Sequence, residues 1–210
     1  LMRMSFAIGK ETFAEYQRNF NLGLKTNIDL AGEARTAELV HGAEKIDQTD
    51  LAVSSFGQGF NVTMIQMITG YSALINGGYY YEPHMVKQIR TTNGAVVKNI
   101  EPRVLKQVVS ESTSAYLREY CEAVCDPNYT GNTGKSARPA GYLIGGKTGT
   151  AEKVPRDHKH YVVSFIGCAP ADDPQIVIYV VVDEPNAEGQ GQAHATSVSY
   201  THLTLPTNSR

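Results

Sequence analysis

Residues 141–153 read "GYLIGGKTGTAEK": three apolar or aromatic side chains (Tyr142, Leu143, Ile144), a glycine pair, and then Lys147-Thr148-Gly149-Thr150. Two further runs follow, "HYVVSFIGCAP" at 160–170 and "QIVIYVVVDEP" at 175–185. Both are rich in β-branched and aromatic residues, so they predict strands, and "ADDP" between them predicts a tight turn. Three strands in succession with short connections predict an antiparallel meander, with helices from earlier in the chain covering its faces. The fold class expected is therefore α+β. A glycine inside a strand, here Gly149, lets another backbone or a ligand come close. The pair Gly145-Gly146 is expected to clear side chains from the approach to Lys147.

Upstream of the meander the signals are local. "AIGKETFAEYQRNF" (7–20) spaces Ile8, Phe13, Tyr16 and Phe20 at a near-helical period and predicts a short amphipathic helix. "NLGLKTNIDLAGEA" is expected to be an irregular connection. Residues 36–50 are polar and are expected to run over the surface. Thr63 with Gln66 three positions on is a capping-box signature that opens a helix, and Gly77-Gly78 ends it. The run Tyr79-Tyr80-Tyr81 is expected to pack within a sheet. "HMVKQIRTTNGAVVKNI" carries Asn93-Gly94 between two extended runs and predicts a hairpin. "RVLKQVVS" predicts an extended segment. Ser110 is expected to cap a helix over 111–125 whose Tyr116, Tyr120 and Val124 share one face.

Composition narrows the function. The formal charge of -2, with no basic stripe, gives no reason to expect a polyanionic partner, and no nucleic-acid partner is expected. No run approaches the roughly 18 apolar residues that span a bilayer. Cys121, Cys125 and Cys168 do not pair with His158 or His160 at a metal-ligand spacing, so buried or partly buried thiols are expected and no metal site. Asp183-Glu184 is expected to be a solvated strand end.

Two lysines compete for the chemistry. Gly134-Lys135-Ser136 resembles the end of a phosphate-binding loop, but Tyr129 stands where that loop requires its first glycine, and Pro139 interrupts the helix that should follow. Lys135 therefore reads as a solvated loop charge. Lys147-Thr148-Gly149 resembles the third motif of penicillin-recognising serine enzymes. The bare tripeptide is weak; extended to "GGKTGTAEK" ahead of two strands it is strong.

With those residues in view, the chain resembles the C-terminal part of the transpeptidase domain of a class B penicillin-binding protein. "GQGFNVTMIQMITGYSALINGG" resembles the family's GQG, V-T-P-L-Q and N-G-G stretch, and "KTNIDLAGEA" its T-G-I-D-L-P-G-E segment. Asn27 stands for the usual glycine, and Ala31 and Met64 stand for prolines. The resemblance covers 1–197, and 198–210, "VSYTHLTLPTNSR", is expected to be a non-native tail. It implies a β-lactamase/transpeptidase-like sheet flanked by helices, incomplete at both ends, with an exposed sheet edge and marginal solubility.

The resemblance also implies roles. The family cross-links peptidoglycan: a serine attacks the bond between two D-alanines of a stem peptide, and an amine resolves the acyl-enzyme. Lys147 and Thr150 are then the catalytic candidates, Lys147 assisting proton movement and attracting the terminal carboxylate. The Thr150 N–H would form half the oxyanion hole. Thr148, Gly149, Thr150 and Gln58 are the substrate-binding candidates. Gly57-Gln58-Gly59 is either part of the site's rim or only a tight turn. No serine is followed by lysine at the third position or asparagine at the second, and no tyrosine supplies Tyr-x-Asn, so this chain holds neither the nucleophile motif nor the second motif. The implied partners are a stem peptide ending in D-Ala-D-Ala, β-lactams, and other cell-wall synthesis proteins of division, elongation or sporulation. No cofactor is implied. The whole protein is expected to be membrane-anchored with this part outside the cytoplasm. A β-lactamase, a β-lactam sensor and a non-catalytic module of the same fold are the competing readings.

Overall fold

The computed structural model describes residues 1–155 and 160–185, so the expected tail and His158 lie outside the described residues. The chain divides into two compact units, Leu1–Glu111 and Ser112–Arg210.

In the first unit α1 runs Met2–Asn19 and is broken at Gly9 (φ 80, ψ 159). The break corrects the expected apolar face. Ile8, before it, is out of phase with the turns beyond Gly9 and is exposed, as is Tyr16. The buried positions of α1 are Ser5, Ala14 and Gln17, and Phe13 packs with Ala14, Ile46 and Leu51. Ile46 and Leu51 flank the start of a second helix, α2 (Gln48–Ser54), inside and just beyond the polar stretch expected to run over the surface. Asp47 is its cap: its Oδ1 accepts from the Asp50 N–H at 2.7 Å, while Asp50 Oδ2 accepts from the Asp47 N–H at 3.3 Å. Two buried apolar residues in a polar run leave too little periodicity to register, and the reciprocal cap was the available signal.

The third helix, α3 (Met64–Ile75), has the expected capping box. Gln66 Oε1 accepts from the Thr63 N–H at 3.0 Å, and Thr63 Oγ1 from the Gln66 N–H at 3.2 Å. Gln66 is fully buried and also donates to the Leu24 carbonyl and accepts from Thr36 Oγ1. One side chain thus closes the helix end and ties down two passing segments. Beyond Gly77-Gly78, β1 (Tyr79–Tyr81) pairs antiparallel with β4 (Val104–Gln107). Tyr80 is buried with Ala73 and Val108, as sheet packing predicts, while Tyr81 is exposed. Between them β2 (Gln88–Arg90) and β3 (Val96–Asn99) form the expected hairpin with Gly94 at φ 88.

The "KTNIDLAGEA" connection is irregular because carboxylates hold it rather than a ladder. Asp29 accepts from the N–H groups of Met85 and Val86 at 2.7 and 3.0 Å. Glu33 accepts from the Thr26 N–H, the Thr26 hydroxyl at 2.8 Å and the Asn27 N–H at 3.0 Å. Asn27 itself sits at φ 59, a conformation asparagine tolerates better than most side chains, which accounts for its standing where the resemblance expects glycine. Partial burial works to raise the Glu33 pKa, but its hydrogen bonds outweigh that and hold it below the ordinary carboxyl range. A lowered pKa contributes stability above the unfolded carboxyl range and loses it as pH falls through the lower folded value. The urea midpoint is accordingly expected to fall on acidification from about pH 5, and Glu33→Gln should flatten part of that slope. An unchanged slope in the variant would remove Glu33 from the account.

In the second unit, α4 (Glu111–Cys125) precedes β5 (Gly145–Glu152), β6 (Tyr161–Ala169) and β7 (Ile176–Asp183). The three strands form the predicted antiparallel meander in the order β5-β6-β7. Its core joins Cys125, Ala137 and Ile144 to Val163 and Phe165, with Val124, Val180 and Val182 against them. Of the three residues expected on one face of α4, Val124 packs against the core while Tyr116 and Tyr120 are exposed; the buried positions are Ser114 and Cys125. Small residues make that side because the strand comes close; a β-carbon on Gly145 would lie 3.3 Å from Cys121 Cβ. The three cysteines are free thiols, two buried and Cys121 partly so. Burial pushes the Cys125 thiol up to about 12, which leaves it unreactive. Lys135 is exposed at the start of a short 3-10 turn. Asp183 and Glu184 are exposed but not merely solvated: Lys153 Nζ reaches both, at 2.9 and 2.8 Å, tying the end of β5 to the end of β7.

Candidate active site

Strand parity orients the backbone of β5. The Lys153 N–H donates to the His160 carbonyl at 2.9 Å, and the Ala171 N–H to the Leu143 carbonyl at 3.0 Å. Both contacts put odd-numbered residues on the side facing β6. In an antiparallel ladder this alternates, so the N–H and C=O groups of Gly146, Thr148, Thr150 and Glu152 point away from β6. Among the described residues β5 is the edge of its sheet. The Lys-Thr-Gly segment therefore presents Thr148 and Thr150 backbone groups along that edge.

Lys147 pairs with Ile166 in register and its side chain is exposed. Its ammonium folds back to the edge and donates to the Thr148 carbonyl at 2.7 Å. The cation is thereby held at the strand rim instead of swinging freely. Gly149 shares the Lys147 face, where a β-carbon would lie 2.6 Å from Ser164 Oγ. Gly146 is different from the role its place in the sequence suggested. Its missing side chain does not clear an approach to Lys147; the Phe165 ring fills the space, with Cζ 2.4 Å from where a β-carbon would sit. Gly167 opposite gives way to the same ring.

Thr148 and Thr150 alternate to the Phe165 face. Thr148 is 7% exposed, and its Oγ1 lies 2.8 Å from Thr133 Oγ1 in the loop before the strand. Thr150 pairs with Val163 and is half-buried. Lys147, Thr148, Gly149 and Thr150 are thus brought together on one strand. Gln58 belongs to the first unit, half-buried beyond the C-terminus of α2, its N–H donating to the Val53 carbonyl at 3.1 Å. Gly57 and Gly59 flank it at φ 86 and 82, so both glycines serve the turn. Sequence reasoning missed Thr133. Its neighbours, "TGNTGKS", drew attention only as a phosphate loop, and nothing local marks a hydroxyl that meets another fifteen residues on.

A lysine, two threonines and an outward-facing backbone thus lie together on an edge strand of an α+β fold. Residues 1–203 match the family described as the penicillin binding protein transpeptidase domain, and the chain belongs to that family. Its relatives are class B penicillin-binding proteins. Stage V sporulation protein D of Bacillus subtilis is 43% identical over 183 residues, 85% of this chain and 27% of that protein. Penicillin-binding protein PbpB of Mycolicibacterium smegmatis is 31% identical over 203 residues, 93% of this chain and 31% of that protein. The chain thus spans about a third or less of the curated relatives' length. Among solved structures, penicillin binding protein 3 of Mycobacterium tuberculosis superposes with a TM-score of 0.84 at 29% identity, over 95% of this chain and 46% of that one. The same protein has been crystallised with ampicillin and with aztreonam. No helix among the described residues is long and apolar enough to cross a membrane.

Proposed function

We propose that this chain is the Lys-Thr-Gly half of a serine D,D-transpeptidase site. The observation that carries the reading is the β5 edge, where the Lys147 ammonium rests on the Thr148 carbonyl and the even-numbered backbone groups face outward. An extended peptide ending in D-Ala-D-Ala would lie along that edge as an added strand. Its terminal carboxylate would draw Lys147 off the carbonyl and take hydrogen bonds from the Thr148 and Thr150 hydroxyls. The Thr150 N–H would face the developing oxyanion, the nucleophile's own N–H completing the pair. β-Lactams would enter by the same route, as they mimic the dipeptide.

The nucleophile would come from residues outside these 210, since no Ser-x-x-Lys is present. The whole polypeptide would be anchored in the membrane, work outside the cytoplasm and join other cell-wall synthesis proteins. A direct test uses this chain alone. Labelled penicillin is expected to leave no adduct after denaturation, while N-acetyl-D-alanyl-D-alanine binds weakly and reversibly. Lys147→Ala should weaken that reversible binding by about ten- to a hundredfold, the range of a charge-assisted contact. Covalent label on the chain, or binding indifferent to Lys147, would sink the reading. A β-lactamase on the same fold would instead show rapid turnover of the acyl-enzyme in the complete protein.

A further inference from the structure

We infer that Thr133 is a positioning residue that orients the Thr148 hydroxyl toward an incoming carboxylate. The inference rests on the proposed role of the β5 edge and extends it to the loop before the strand.

The two hydroxyl oxygens are 2.8 Å apart, so one donates and the other accepts. A carboxylate can only accept. Once it arrives, the single proton of Thr148 must turn to it, and the contact with Thr133 survives only if Thr133 becomes the donor. Thr133 is exposed and can reorient its proton, whereas Thr148 is buried and has few alternatives. A hydroxyl that accepts one hydrogen bond is a stronger donor in the next. Thr133 would therefore both aim the Thr148 proton and strengthen its bond to the substrate.

The loop is built to hold Thr133 still. The Gly134 N–H donates to the Val124 carbonyl at 3.0 Å, and Asn132 Nδ2 to the Asp126 carbonyl at 2.5 Å. Both acceptors belong to the last turn of α4 or the residue after it. A β-carbon at Gly134 would lie 2.9 Å from Cys125 Sγ and 3.1 Å from the Val124 carbonyl oxygen. Only glycine lets the loop lie that near the helix. The residue beside it is Thr133, whose β-branch restricts χ1.

The test measures binding of N-acetyl-D-alanyl-D-alanine and of its C-terminal amide to the 210-residue chain, by threonine methyl NMR shifts. Thr133→Val should weaken the acid by about two- to tenfold, the effect of one hydrogen bond, and leave the amide unchanged. Thr133→Ser should restore the acid. Thr148→Val should weaken the acid as well, and the double variant should be no weaker than Thr148→Val alone, because the two residues act in one chain. If Thr133→Val binds the acid like wild type while Thr148→Val does not, the inference falls and the role of Thr148 stands. Equal weakening of acid and amide would assign Thr133 to loop structure only and overturn the inference. A wild-type chain that does not prefer acid over amide removes the proposed function itself, and the inference with it.

Discussion

Phe165→Ala is expected to destabilise the sheet unit by about 3–5 kcal/mol, toward the upper end of large-to-small core substitutions. Phe165 is fully buried among Cys125, Ala137, Ile144 and Val163. Its ring lies over two glycines on neighbouring strands; β-carbons there would come within 2.4 Å (Gly146) and 2.6 Å (Gly167) of ring atoms. Removing the ring leaves a cavity floored by residues with no side chain to collapse into it. Such cavities relax least, and relaxation is what softens the loss. For a chain of this length the melting temperature should drop by roughly 6–20 °C. Gly146→Ala alone should also destabilise, since the new methyl meets the ring. Combined with Phe165→Ala it should cost less than it does alone, because the ring clash is gone and only the Ile166 carbonyl oxygen, 2.7 Å from the new methyl, still opposes it. Strictly additive losses in that double-mutant cycle, measured by urea unfolding, would refute the packing account.

Gly78→Ala is the second large effect, and it acts on the backbone. Gly78 sits at φ 92, and a β-carbon would stand 1.9 Å from the Val109 carbonyl oxygen and 2.8 Å from its carbon. The Gly78 carbonyl accepts from the Val108 N–H at 2.7 Å, so this is where β1 and β4 begin to pair. The methyl can be accommodated only by moving the chain at Val108-Val109, which would pull Val108 away from Tyr80 and Ala73. Strain at positive φ and overpacking together amount to about 2–5 kcal/mol. Gly94 is the control: it has φ 88 and nothing within 4 Å of its virtual β-carbon. Gly94→Ala carries the conformational strain alone, about 1 kcal/mol. Equal melting temperatures for the two variants would mean that the Val109 contact contributes nothing.

Much of the fold was legible because its signals are local. Thr63 and Gln66 cap α3 across three residues, Asn93-Gly94 turns the hairpin, and "ADDP" joins β6 to β7. The failures share a cause. Bulky residues at helical spacing mark one face of α1 and one of α4, yet Ile8, Tyr16, Tyr116 and Tyr120 are exposed. A kink at Gly9 and the close approach of β5 to small residues on α4 overrode the period. For α2, a reciprocal carboxylate cap carried the information that apolar spacing did not.

At the site the same division holds. Residue type and order along 145–152 sufficed to mark the strand, the family and the lysine, because alternation and glycine content are properties of adjacent residues. Which hydroxyl meets Thr148, which ring replaces a side chain at Gly146, and which carbonyl forbids one at Gly78 were settled by partners 15 to 31 residues away in the chain. Those partners are chosen by strand register and by where the loop is pinned to α4. Register and pinning come from the sum of many weak contacts across the fold, and no window of neighbouring residues contains that sum.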